Sequence, residues 1–287
     1  MRTRRSFLRD VGGIGAAALI FPSLLRAGNI GTKTAHSARS KGVGIQLYSV
    51  RKEMMVDAAG TLKRLGQIGY QEIESAQSEK GNYYGLAPKE IKKMLNDQGM
   101  RLRSGHTHID KNWQKSIDDA AEAGQDYIIC SVLPSRGQTV ENYEESADLF
   151  SKAGEECRKS GIRFGYHNHD SEFETVNGRV LYDILLDRTD PQLVHMEMDL
   201  GWVIAAGKDP LAYFDKYPGR FPLWHLKDMD KTERRSTEFG KGNVDLLKLL
   251  KNAKKSGMKH YFVEQEEYTV NAWDSMEYDF KWLNDNA

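Results

Sequence analysis

Ile162-Arg163-Phe164-Gly165-Tyr166-His167-Asn168-His169-Asp170 reads as a short apolar strand that closes on imidazoles and a carboxylate. A helix-like pattern precedes it, Tyr143 to Gly161, ending in the glycine that favours the left-handed turn past a helix C-terminus. The same unit recurs outward in both directions. Upstream, the apolar runs are Val43–Tyr48, Gln71–Glu74, Arg101–His106 and Tyr127–Val132; downstream they are Leu193–Asp199, Pro222–Lys227 and His260–Glu264. Amphipathic stretches fill the intervals, among them Ala58–Gly69, Pro88–Gly99, Lys115–Gly124 and Val244–Gly257.

Eight strand candidates, each followed by a helix pattern, specify parallel strands joined by helical crossovers. They span roughly 250 residues, the usual size of a closed (β/α)8 barrel. The expectation is therefore α/β, a single barrel domain over 42–287. No Gly-x-Gly-x-x-Gly follows the first strand and no phosphate-binding Gly-x-x-x-x-Gly-Lys-Ser/Thr is present, which disfavours an open nucleotide-binding sheet.

In such a barrel the strand C-termini face the active site. Here they end in chemistry. Strand six carries Asp199, strand seven His225 and Lys227, strand eight Glu264, and the first three finish in Gln46, Glu74 and His106. One histidine after a strand usually means a satisfied structural side chain. Ionisable groups on four consecutive strand ends are costly to bury unless they pair or hold a cation. A mixed imidazole and carboxylate set suits Zn, Mn, Fe or Co, and Mg less well. Cys130 and Cys157, the only cysteines, fall in a predicted strand and a predicted helix and read as buried thiols.

The chain has 287 residues with 41 basic and 41 acidic side chains, a balance that argues against a nucleic-acid partner. Its 39% hydrophobic and 29% charged content is that of an ordinary globular protein. The first residues differ. Arg2, Arg4, Arg5 and Arg9 crowd the start, and Val11 to Leu25 follows without a charge. That run is shorter than the about 20 residues a membrane span needs. Arg4-Arg5-Ser6-Phe7-Leu8 resembles the twin-arginine export motif. A buried N-terminal helix would leave the arginine pair and the glycines unexplained. The expectation is an export signal and linker over 1–35, a periplasmic destination, and no stable membrane anchor after the signal is removed.

Tyr166-His167-Asn168-His169-Asp170, Met198-Asp199-Leu200-Gly201-Trp202, Trp224-His225-Leu226-Lys227-Asp228 and the Glu264 strand end resemble the sugar phosphate isomerase/epimerase family of xylose isomerase-like TIM barrels. The resemblance covers nearly all of the chain after the signal. It implies one divalent metal held by a Glu after strand five, Asp199, His225 and Glu264. His167 stands where many members have that Glu, and the nearest downstream carboxylate is Glu172. Glu172 is favoured over His167 as first ligand, with the other group left for substrate or proton transfer. Trp202 stands where many relatives have His, and its indole is suited to stack on a sugar.

The resemblance implies proton abstraction next to a carbonyl of a small carbohydrate, through an enediolate. His169 is the expected base; His167, Glu264 and Lys227 are the other catalytic candidates, and Gln46, Glu74, His106 and Trp202 the substrate-binding ones. An isomerase or epimerase of a sugar or keto-sugar leads. A dehydratase or lyase eliminating from a keto-sugar or keto-glycoside is the alternative, because His167-Asn168-His169 also looks like inosose dehydratases. A non-catalytic carbohydrate-binding protein is third. The group also contains DNA-repair endonucleases with three metals, which the neutral charge disfavours.

Overall fold

Burial on both faces makes these short runs strands. Side chains alternate between the barrel interior and the surrounding helices, so both faces are largely buried and the exposed positions fall at the N-terminal strand ends, as at Arg101 and Arg163. In the computed structural model, which describes residues 42–134 and 137–287, the runs form β1 (Gly44–Gln46), β2 (Glu72–Ser75), β3 (Arg101–Thr107), β4 (Tyr127–Cys130), β5 (Arg163–His167), β6 (Val194–Asp199), β7 (Leu223–Leu226) and β8 (His260–Val263). Each pairs in parallel with its sequence neighbour, and β1 pairs with both β2 and β8, so the sheet closes. The expected (β/α)8 barrel is the observed one.

The crossovers begin and end where local chemistry directs. Asp57 accepts a hydrogen bond from Gly60 N at 2.9 Å and starts the helix Ala58–Ile68. Thr139 does the same for Val140–Lys159 through Asn142 N. Gly124 ends Trp113–Ala123 in the left-handed conformation with φ 80°, where a Cβ would be strained. The expected helix Val244–Gly257 is instead two pieces, Leu246–Lys251 and Ala253–Ser256, broken at Asn252. Two small hairpins, Thr175–Val176 with Arg179–Val180 and Asp228–Met229 with Ser236–Thr237, decorate the loops after β5 and β7.

Inward-facing side chains divide the barrel axis into layers. Tyr127, Ile129, Leu223 and Phe262 form an apolar plug of their own. Near the N-terminal strand ends, Glu72 is bound by Arg103 at 2.8 Å and by His260 Nδ1 at 2.7 Å. Towards the C-terminal ends the plug gives way to polar groups. Strand period places His195, Glu197 and Asp199 on one inward face, and likewise His225 with Lys227.

Cys130 and Cys157 are free and buried, as expected. Among the described residues no helix is long and apolar enough to cross a membrane. The export signal expected over 1–35 lies outside the described residues.

Candidate metal centre and mouth cavity

Three local devices fix the donor groups. Asp199 caps the helix Leu200–Ala205 by accepting from Trp202 N at 2.9 Å, which locks its carboxylate at the end of β6. Asn168, just past β5, accepts from Asp199 N at 3.2 Å and ties the two strand ends together. Gly201 leaves room for Lys227: a Cβ there would stand 2.9 Å from the Lys227 Cγ.

Four donors converge. His167, Asp199, His225 and Glu264 are all buried, and their ligand atoms lie within 4.8 Å of one another. His225 Nδ1 is 2.8 Å from Glu264 Oε2 and 3.8 Å from Asp199 Oδ2, while His167 Nε2 is 4.0 Å from that Asp199 oxygen. The cluster has the chemistry of a divalent-metal site, with Asp199, His225 and Glu264 brought together as the family resemblance implies. The fourth member is His167, not Glu172.

Glu172 is turned away for a local reason. The single 3-10 turn Ser171–Phe173 folds its carboxylate back onto its own strand, where Tyr166 Oη donates at 2.6 Å, Ser171 Oγ at 3.0 Å and the His169 backbone N–H at 3.1 Å. Burial alone would raise its pKa, yet the His169 contact and the Tyr166 hydroxyl hold it below the usual carboxylate range. His169 Nδ1 lies 3.8 Å from Glu172 Oε1. Glu172 thus holds the His169 backbone N–H, with the imidazole beside its carboxylate.

Lys227 extends into the same cluster, fully buried. Its Nζ stands 2.8 Å from Asp199 Oδ2, 2.9 Å from Glu264 Oε2 and 2.6 Å from Glu266 Oε1. Burial disfavours the ammonium, but these three carboxylates more than offset that and raise its pKa well above the usual value. Glu264 is correspondingly held low against burial by Lys227 and His225. The Trp202 ring lies 4.9 Å from that Nζ. The indole therefore covers the ammonium, and the cavity wall is made by other residues.

Beneath these groups runs a second polar layer. Glu74 Oε1 accepts from Gln46 Nε2 at 2.8 Å and lies 2.6 Å from His225 Nε2. Glu197 Oε2 lies 2.8 Å from His106 Nε2 and 3.3 Å from His225 Nε2. Burial and the Glu74 carboxylate push Glu197 up to about 7. His106 is pushed up to about 9, because Glu74 and Glu197 outweigh its burial. His167 goes the other way: burial and the charges of His225 and His106 drive it well below the usual imidazole value. Sequence reading passed over Glu197. The signal was its place two residues before Asp199, on the same inward face.

Above the donors opens a cavity of about 310 Å³, lined by Tyr48, Gln77, His106, His108, Ser131, Val132, His167, His169, Lys227, Glu264 and Glu266 among others. Of the residues expected to contact substrate, His106 lines it. Gln46 and Glu74 lie below, fully buried in the second layer, and Trp202 lies behind Lys227. Tyr48 and Val132 supply the exposed apolar surface instead.

The model of the xylose isomerase-like TIM barrel family matches residues 62–286. This chain belongs to that family. A sugar phosphate isomerase/epimerase from Parabacteroides distasonis ATCC 8503 superposes with a TM-score of 0.76 at 29% identity, over 88% of this chain and 96% of the other. An inosose dehydratase from Lacticaseibacillus casei is 28% identical over 114 residues, 40% of this chain and 37% of that protein. Another from Geobacillus kaustophilus (strain HTA426) is 25% identical over 197 residues, 58% of this chain and 61% of the relative. The matches therefore cover less than two thirds of either dehydratase. Within the family's barrel, this member sets His167, a neutral donor, at the end of β5 beside Asp199, His225 and Glu264.

Proposed function

We propose that this chain is a divalent-metal-dependent isomerase or epimerase of a small sugar or keto-sugar. The observation that carries the reading is the meeting of the buried donor set His167, Asp199, His225 and Glu264 with the mouth cavity that His169 also lines. The residues fit a cation by the chemistry of the donor set: two carboxylates and two imidazoles converge, with Lys227 Nζ standing beside both carboxylates as the charge already set against them. A bound divalent ion (Zn, Mn, Co, Fe or Mg) would supply Lewis-acid polarisation of a carbonyl oxygen.

The protein groups divide the remaining work. His169, whose backbone N–H is bound by Glu172, takes the proton from the carbon beside the carbonyl. Lys227, its three N–H donors taken by Asp199, Glu264 and Glu266 and its ammonium covered by Trp202, balances the charge of the cluster. Tyr48 offers a partly exposed ring to the C–H face of a sugar. The cavity volume sits at the low end of small-molecule sites, roughly 300–1,000 Å³, which supports a monosaccharide-sized ligand.

His169→Ala is expected to keep its ion content while turnover falls by about 100-fold to 10,000-fold, the usual worth of a general base. Elemental analysis alongside sugar turnover checks this; loss of the ion with His169 would place the imidazole in the metal site and refute the assignment.

The second reading is elimination, favoured by the inosose dehydratases among the relatives. Both reactions begin with the same proton abstraction. Mass spectrometry of the product separates them, since an isomerase conserves mass and a dehydratase loses water. We also hold twin-arginine export to the periplasm as a proposal. Replacing Arg4 and Arg5 with Lys is expected to keep the protein in the cytoplasm, as fractionation and immunoblotting of the host would record; normal export of that variant would leave only a generic signal.

A further inference from the structure

Glu74 and Glu197 are fully buried two-oxygen acceptors, and among the described residues no Lys or Arg pairs with either. Lys227 serves Asp199, Glu264 and Glu266, so the mouth carboxylates already have a fixed cation. For positive charge the deeper pair has only imidazoles, with the neutral Gln46 amide as a further donor to Glu74. Glu74 Oε2, Glu197 Oε1 and His167 Nδ1 are buried without any hydrogen-bond partner. Buried carboxylates are costly unless they are paired or coordinate a metal.

The geometry around Glu197 is that of a coordination shell. His106, His167, Glu197 and His225 form a second fully buried group whose ligand atoms lie within 4.8 Å of one another. From Glu197 Oε2 the distances are 2.8 Å to His106 Nε2, 3.4 Å to His167 Nδ1 and 3.3 Å to His225 Nε2. Four donors at about 2.0–2.1 Å from a tetrahedral ion stand about 3.4 Å apart. Glu74 Oε1, 2.6 Å from His225 Nε2 and 3.3 Å from His106 Nε2, is a fifth oxygen against the same two rings.

We infer that the barrel holds a second, deeper seat for a divalent transition metal, made by His106 Nε2, His167 Nδ1, His225 Nε2 and Glu197 Oε2. Three imidazoles and one carboxylate, with no sulfur, select a zinc-like or cobalt-like ion over magnesium or calcium. His106 and His167 also line the mouth cavity, which gives the ion its way in. The deep seat and the mouth seat share two rings through opposite nitrogens. His225 turns Nε2 down and Nδ1 up, and His167 turns Nδ1 down and Nε2 up. A neutral imidazole has one lone pair, so each ring serves one seat at a time. One ion per chain follows, seated either deep or at the mouth.

The test strips the full-length protein with a chelator and titrates it with Co²⁺, following bound cobalt by elemental analysis and by its visible absorption. Glu264→Gln, which removes a donor of the mouth seat but only an outer-shell partner of His225 from the deep one, is expected to bind one cobalt still, weakened by no more than the roughly 10–100-fold of an outer-shell change. Adding Glu197→Gln or His106→Gln to that variant is expected to weaken binding by more than the roughly 10–100-fold that outer-shell changes cause. Circular dichroism confirms folding, and anomalous diffraction from zinc-soaked wild-type crystals locates the ion independently. A peak among His106, His167, Glu197 and His225 supports the inference. Complete loss of cobalt in Glu264→Gln, with Glu197→Gln binding like wild type, overturns it and leaves the proposed mouth metal standing. Wild-type protein that binds no cobalt overturns both.

Discussion

His225→Ala is expected to abolish tight ion binding and sugar turnover together, the largest functional loss of any single substitution here. The ring stands at the centre of both polar layers, with Nδ1 2.8 Å from Glu264 and Nε2 2.6 Å from Glu74. Its removal leaves Asp199, Glu264, Glu74 and Glu197 around a gap, short of one positive or metal-bound neighbour. Affinity should fall well beyond the about 10–100-fold of an outer-shell change, by isothermal titration of the chelated protein. The barrel should still fold, because strand pairing Phe262↔His225 uses the backbone and the apolar layers lie elsewhere. An unchanged ion content and turnover in this variant would remove the metal centre altogether.

Lys227→Met is expected to give the largest loss of stability, and the loss should be reversible by metal. The ammonium is fully buried and carries the charge balance for three carboxylates. Removing one partner of a buried ion pair costs about 3–5 kcal/mol, because the remaining charge is left without compensation. In chelator, urea melts should show a loss of that size. Divalent cation should then restore more stability to the variant than it adds to wild type, since it offsets the same carboxylates; saturation at 100 times the dissociation constant is worth about 2.7 kcal/mol. Equal stability of Lys227→Met and wild type in chelator would mean that the ammonium does not balance this cluster.

His225 and Lys227 lie where the sequence was legible. Apolar runs closing on Asp199, His225 and Glu264 announced the strand ends, and closure of the barrel needed only their number and the helices between them. The spacing of Lys227 from His225 placed both on one inward face, because strand side chains alternate. The same rule applied to Asp199 points to Glu197, yet attention to strand ends alone passes over a residue two positions deeper. Strand period was the available signal.

Other positions were decided by contacts that have no sequence spacing. Glu172 is the nearest carboxylate downstream of His167, so proximity favoured it as ligand. One short helical turn and the Tyr166 hydroxyl draw it away, and His167 reaches the donor set instead. Gln46 and Glu74 end their strands too, but the barrel brings Glu74 beneath His225, which is distant in sequence. Trp202 packs over Lys227 because Gly201 lets the helix approach that side chain. The sequence by itself determined the eightfold alternation, the direction of the strands and the kinds of group at their ends, since these follow from local periodicity and turn chemistry. Depth along the barrel axis and the partner of each ionisable group were decided only in the tertiary structure, where strand register sets the height of each side chain and burial makes every unmatched charge costly.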